Sequence, residues 1–400
     1  MSLFRFMRDM VGGGKGQDTF TDTTPKASLS GWQSINLTRS YPSDTGETVD
    51  EMGGMSLPVV YSAITLIADS LAQLPIDVMR KVDGKSIKQS DHPLEDLLNR
   101  SLNPYMTAFI GRSNAQSHVL GWGNSFVEIE RDASGLVKGL WPLLPDRTRL
   151  ETVNGERIVL TRVGGEEVPL RYKDVLHVPA WGFDGVMGVS PIQMHCNAIG
   201  LVRAYEKYVG KFFANDATSG GFLQHPGALS AEALARIEAE VNADKGLGDA
   251  RRLRVLEEGI KFVPTSVTPE DAELLASRTF QVEEVARIFR IPLHMLQSHS
   301  KDTAWGTGIY EQQIGYLVYT LSPHTIKWEQ EINRKVFTEE ELAAGFYIKH
   351  NVSGLLRGNP KERAEMYAIG IDRGWLTVNE VRALEELAPI EGGDDISDRT

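Results

Sequence analysis

The sequence predicts an α+β fold in which two long helices bracket a small α/β module. Three observations carry this: turn signals set among strand-like runs at residues 125–178, a helix start at residues 185–192 (GVMGVSPI), and a helix stop within residues 280–297 (FQVEEVARIFRIPLHMLQ). At the start, Ser190 can accept first-turn amide bonds, and Pro191 occupies a position where a missing N–H costs nothing. At the stop, Pro292 disfavours helical geometry in Ile291.

Taken in chain order, residues 1–50 are rich in Gly, Ser, Thr and Asp and read as a flexible arm that orders against a neighbouring subunit. Apolar residues then recur at helical spacing over residues 57–74. Leu74-Pro75 breaks the pattern, and Ile76, Val78 and Val82 alternate as a strand. Among the strands that follow, Asn154-Gly155 is the strongest hairpin signal and Gly164-Gly165 marks a second.

A helix from Pro191 to about Asn215 would be roughly 35 Å long. It carries two apolar stripes: Met194, Ala198, Leu201, Tyr205, Tyr208 and Phe212, and Ile199, Val202, Val209 and Phe213. Such a helix needs neighbours on both faces. A large core in one chain or adjacent subunits in a ring would supply them, and the sequence leaves both open.

Residues 220–264 read as an insertion with a strand at 221–224, a helix over 230–243 and a hairpin of 253–256 with 260–263. Thr268-Pro269-Glu270-Asp271 opens the next long helix, its acids placed where the helix dipole favours them. After Pro292 comes a loop, residues 298–308 (SHSKDTAWGTG). The helical stretch to about Phe337 contains Pro323, which should kink or divide it. A strand at 346–348 precedes two N-cap signals, at Asn359 and Thr377, each with Glu three residues on. They predict a terminal helical hairpin turning at Arg373-Gly374.

Composition narrows the function. The 400 residues, 41% of them hydrophobic, suit a globular protein of two or three domains. The uncharged run at 56–68 is too short to span a bilayer, and MSLFRFMRDM lacks the apolar stretch of a secretory signal, so the protein is expected to stay in the cytoplasm where it is made. The net charge of −12 argues against gripping nucleic acid through its phosphates. It is compatible with letting a duplex pass without sticking, since like charge keeps contacts short.

Enzyme chemistry finds no footing. GGGKG at 12–16 lacks the GxxxxGK[ST] spacing and a preceding strand, so it offers no nucleotide site. His294 and His299 lack the HExxH pattern, the single Cys196 has no partner and reads as a core residue, and acidic runs such as Glu339-Glu340-Glu341 and Asp394-Asp395 read as solvated faces. No catalytic residue, metal site or cofactor is expected. A metal-dependent nuclease is the least favoured alternative.

The helix start and stop, in this order, resemble the portal proteins of tailed bacteriophages, in the family typified by the portal of phage HK97. The likeness recurs in VVYSAITLIADSLAQLPIDVMRK (59–81), HPLEDLLNRSLNP (92–104), GWGNSFVEIERDASGLVKGLWPLLPDRTRL (121–150), YTLSPHTIKWEQEINRKVF (319–337) and GNPKERAEMYAIGIDRGWLTVNEVRALEELAPIEGGD (358–394). It implies a portal-type fold with a mixed α/β wing (51–189), a first stem helix (190–219), a clip (220–264), a second stem helix (265–297), a tunnel loop (298–308), a kinked helix and wing strand (309–350), a short helical crown (351–393) and a polar tail (394–400).

The resemblance further implies a closed dodecameric ring at one capsid vertex of the virion, assembled in the bacterial cytoplasm. Double-stranded DNA is packaged and later ejected through its hole, while the ring binds the terminase large subunit, the major capsid protein with or without scaffold, and a head-tail adaptor. In the tunnel loop, Lys301, Asp302, Thr303, Trp305, Gly306 and Gly308 become the candidates for contact with passing DNA, with Asp302 keeping the charge beside Lys301 near neutral. Arg251, Arg252 and Arg254, the densest basic cluster, are either a solubilising face or a docking surface for motor and connector. A gene-transfer particle's portal, or a structural protein that conducts no DNA, would share this logic.

Overall fold

The computed structural model describes residues 41–214, 221–224, 261–264, 271–296, 307–352, 360–385 and 387–395, with positions 232 and 235. Helix α1 (Pro58–Ala72) buries Val60, Ile64, Ile67 and Leu71 at helical spacing. The Leu74-Pro75 break leads into β1 (Ile76–Val82), which pairs with β2 (Lys85–Lys88). Helix α2 (Pro93–Asn99) and helix α3 (Ala108–Trp122) follow, the latter packed along α1.

Next come β3 (Asn124–Arg131), β4 (Val137–Leu143), β5 (Thr148–Val153), β6 (Glu156–Val163), β7 (Glu166–Arg171) and β8 (Val175–Pro179), forming two antiparallel sheets ordered β8-β3-β4 and β7-β6-β5. Both expected hairpins are present. Asn154 and Gly155 take φ of 52° and 83°, and Gly164 and Gly165 take 60° and 94°, the left-handed geometry that matches strand twist. Phe126, Leu143, Val159, Val168, Leu170 and Val175 form a core between these sheets, separate from the main core around α1 and α3.

Gly123 ends α3 at φ 79°, and an added Cβ would lie 2.4 Å from the Val189 carbonyl carbon. The segment before Ser190 thus lies against the sheet-to-helix joint. Asn124 fastens it: Nδ2 donates to Gly188 O at 2.7 Å, and Oδ1 accepts from Gly188 N at 2.9 Å. A Gly123→Ala change is both strained and blocked by backbone, and should cost on the order of 3 kcal/mol in urea unfolding. A loss below about 0.5 kcal/mol would refute this account.

Ser190 caps as expected, accepting from Gln193 N at 3.1 Å, and its hydroxyl also donates to Gly121 O at 2.7 Å. The expected single helix from Pro191 is interrupted: a turn at Pro191–Met194 is followed by α4 (Cys196–Ala214), with His195 at φ −110°, ψ 29°. Ile199 N rejoins the ladder on His195 O at 3.0 Å, so the break is one residue wide. Asn215 lies outside the described residues.

Within the insertion, β9 (Gly221–Gln224) pairs antiparallel with β10 (Lys261–Pro264). The expected partner of that second strand, 253–256, and the helix over 230–243 lie outside the described residues, positions 232 and 235 excepted. Helix α5 (Asp271–Phe289) stops as predicted before Pro292, with Arg290 at φ 56°.

Helix α6 (Thr307–Gly315) passes through a π-helical turn at Tyr316–Leu321 into α7 (Ser322–Lys335). Pro323 therefore stands in the first turn after the divide, where its missing N–H is tolerated. Helix α8 (Glu339–Ala343) precedes β11 (Phe346–His350), which returns to pair with β1 in the order β11-β1-β2. Helix α9 (Pro360–Asp372) and helix α10 (Val378–Leu384) form the terminal pair. Gly374 turns between them at φ 72°, and Thr377 and Glu380 make the expected reciprocal cap.

One boundary needs correction. Residues 41–50, placed in the flexible arm, contain paired strands at Tyr41–Pro42 and Thr48–Val49 that lie on α4. Asn197 exchanges two hydrogen bonds with Asp44, of 3.1 and 2.8 Å, Lys207 Nζ reaches Glu47 at 2.8 Å, and Arg203 donates to Thr48 O at 3.1 Å. Gly200 leaves no room for more, since a Cβ there would meet Ser43 Oγ at 2.4 Å. These partners lie more than 150 residues away along the chain, beyond the reach of any local pattern.

Candidate functional site

Of the loop candidates, Lys301, Asp302, Thr303, Trp305 and Gly306 lie outside the described residues, and Gly308 falls in the first turn of α6. Arg251, Arg252 and Arg254 lie outside them too. What the structure describes is the frame that holds the loop: the end of α5 on one side, and α6 with its π turn on the other.

That frame is fixed in two ways. Met295 and Leu296 pack on the main core before the chain reaches the loop. Thr320 Oγ1, in the π turn, donates to Arg290 O at 2.5 Å, tying the left-handed end of α5 to the far helix. A groove of about 420 Å³ lies between them, floored by Ala286, Ile291, Leu293 and Tyr316, with Arg287 and Arg290 at its edge. Burial, and then Arg290, hold the Lys327 ammonium below its usual range, and Lys327 donates to Pro179 O at 3.0 Å.

Behind the frame sits a polar network that pattern reading does not anticipate. Gln116, fully buried in α3, donates to His324 Nδ1 at 3.1 Å and accepts from Trp328 Nε1 at 2.8 Å. This fixes His324 as a neutral ring and couples α3 to α7. The Arg112 guanidinium, lowered to about 10 by burial, donates to the carbonyls of Leu71, Leu74 and Leu98 at 3.1, 2.6 and 3.4 Å. Two helix ends and the bend before β1 are therefore closed by one side chain.

On α4 the two apolar stripes part company. Ile199 and Val202 are buried in the main core, whereas Met194, Leu201 and Tyr208 are 44%, 48% and 51% exposed. Cys196 is half-buried against that core. Among the described residues there is no His/Cys/Asp/Glu group placed to hold a metal ion, and no helix is long and apolar enough to cross a membrane.

This frame has counterparts. The family model described as phage portal protein matches residues 58–386. The chain belongs to the phage portal protein family. It is 33% identical over 344 residues to the portal protein of Enterobacteria phage HK97, covering 85% of this chain and 81% of that protein. With the probable portal protein of Streptomyces phage phiC31 it shares 34% over 365 residues, covering 87% and 78%.

Solved structures carry the same mixed helix-and-strand fold. An HK97-family phage portal protein from Corynebacterium diphtheriae matches with TM-score 0.56 at 17% identity, over 77% of this chain and 97% of that one. A chain from the neck of an empty gene transfer agent particle, computed with C6 symmetry, matches with TM-score 0.59 at 22% identity, over 86% and 95%.

Proposed function

We propose that this protein is the subunit of a ring-shaped channel at one capsid vertex, through which double-stranded DNA is packaged and later ejected. The observation that carries the reading is the family match across residues 58–386, which includes the frame on both sides of the loop. A heterologous contact repeated by a fixed rotation closes a ring with an axial hole, and the proposed assembly is a dodecamer. The protein acts as a structural conduit. Force for packaging comes from a separate ATP-hydrolysing terminase.

Within this reading, residues 298–308 project into the channel. Lys301 makes transient phosphate contacts, Trp305 packs against a neighbouring loop, and Gly306 lets the loop flex, Gly308 being held in the first turn of α6. Asp302 and Thr303 complete a near-neutral surface suited to sliding. Arg251, Arg252 and Arg254 form the docking surface for the terminase large subunit and later the head-tail adaptor, while the major capsid protein, with or without scaffold, surrounds the ring. Assembly takes place in the bacterial cytoplasm.

The test is paired. Electron microscopy of the purified protein should reveal rings open enough for a duplex. Trp305→Ala and Gly306→Ala variants should form the same rings yet lower the yield of DNA-filled particles at least tenfold. Rings with normal packaging would remove the loop from the mechanism. A protein that stayed monomeric even with its capsid partners would overturn the channel reading. The likeness to gene transfer agent necks favours one second reading, a portal serving a gene-transfer particle. Sequencing the packaged DNA separates them, since such a particle would hold host fragments in place of one viral genome.

A further inference from the structure

Helix α4 presents three faces about its axis. Ile199 and Val202 enter the main core, and Asn197, Gly200, Arg203 and Lys207 carry the strap of residues 41–49. The third face, between these two, holds Leu201 and Tyr208 seven residues apart, with Met194 in the turn before the His195 break, each about half exposed. Leu201 and Tyr208 therefore stand in one row about 10 Å apart along α4.

The position of the strap says what can cover this row. It is stapled along the flank of the uncovered face, so the chain before Tyr41 departs from beside α4. Forty residues precede that point, and they begin MSLFRFMRDM. Leu3, Phe6, Met7 and Met10 recur there at the spacing of one helical face, with Arg5, Arg8 and Asp9 off it. The length of chain from Met10 to Tyr41 corresponds, for a coil, to a root-mean-square span of about 30 Å, longer than the row to be reached.

We infer that the N-terminal segment around Leu3–Met10 docks on the Leu201 and Tyr208 face of α4, with the strap fixing where the arm starts. The four apolar residues supply what the row lacks, and the linker is long enough to place them on the same or an adjacent α4. A second copy's body is the competing cover. This inference needs only the single-chain fold and stands whether or not the channel reading holds.

Maleimide labelling of Leu201→Cys in a Cys196→Ser background of the full chain tests it. Leu201 lies half exposed on the described fold, so the probe itself should be tolerated, and Tyr208→Cys serves as a second probe. Adding Leu3→Ser, Phe6→Ser and Met7→Ser, which leaves the described core untouched, should speed labelling at least tenfold. Equal slow labelling with and without the serines would assign the cover to a second copy and overturn the inference. Equal fast labelling would mean the row is bare and would overturn it as well.

Discussion

Replacing Glu331 by glutamine should destabilise the protein by about 3–5 kcal/mol, the typical cost of removing one partner from a buried ion pair. Glu331 is 7% exposed, and one carboxylate oxygen accepts from His177 N at 2.9 Å and Lys335 Nζ at 2.7 Å. Arg334 binds the other oxygen at 2.5 Å. Lys335, 9% exposed, also donates to Val175 O at 2.6 Å and lies 3.6 Å from the centre of the Tyr172 ring. Together these contacts hold α7 against β8 and the sheet joint. Burial holds the Lys335 ammonium below its usual range, with Glu331 opposing it.

Without the carboxylate charge, that ammonium is left buried with only neutral groups in contact: the glutamine amide oxygen, the Val175 carbonyl and the Tyr172 ring. Urea unfolding should therefore find Glu331→Gln well below the parent. The double variant Glu331→Leu with Lys335→Met should lose less than the single one, because no uncompensated charge remains. A single variant within about 1 kcal/mol of the parent would sink the argument.

How much of this was legible in the sequence follows from the range of each interaction. The Asn154-Gly155 and Gly164-Gly165 turns, the Ser190 and Thr377 caps and the stop before Pro292 depend on neighbours within about four residues, and each is where its residues place it. The divide at Pro323 belongs with them, though a π turn in place of a simple kink was not legible. The Gln116, His324 and Trp328 network joins residues more than 200 positions apart, and the β11 to β1 pairing spans a similar distance. No local pattern announces such contacts. The same limit hid the strap, since the polar residues that make it read as an arm are satisfied by a distant helix. For the site, the sequence sets a loop at residues 298–308, of which 298–306 lie outside the described residues, while the ties on either side of it, such as Thr320 to Arg290, emerge only from the fold.

The second large effect expected is acid lability between pH 6.5 and 4.5. Burial lowers His118 to about 4, His177 to about 3 and His324 to about 4, from an ordinary value of 6.5. Each ring is held neutral: His177 Nε2 bonds Asn124 Oδ1 at 3.0 Å, His324 accepts from Gln116, and His118 stacks edge-on against Trp122. The unfolded chain protonates these rings below about 6.5 while the folded chain does not, so stability is full above that pH and falls as pH drops toward the folded values.

Glu51 acts in the opposite sense. Burial raises it to about 7, so it stabilises the fold below its ordinary 4.5 and loses that contribution as pH rises through 7. Between those limits unfolding binds three protons at these histidines, with His350, also lowered by burial, adding to them, and releases one at Glu51. The net of at least two gives a slope of about 3 kcal/mol per pH unit. Across two units the loss is about 6 kcal/mol, comparable with the whole stability of many domains. Urea midpoints at pH 7, 5.5 and 4.5 should fall steeply, and His177→Gln should reduce the slope by about one proton. Glu51→Gln should instead gain stability relative to the parent above pH 7, where the parent must hold a buried carboxylate. A midpoint that stayed flat from pH 7 to 5 would mean these histidines are not held neutral by the fold.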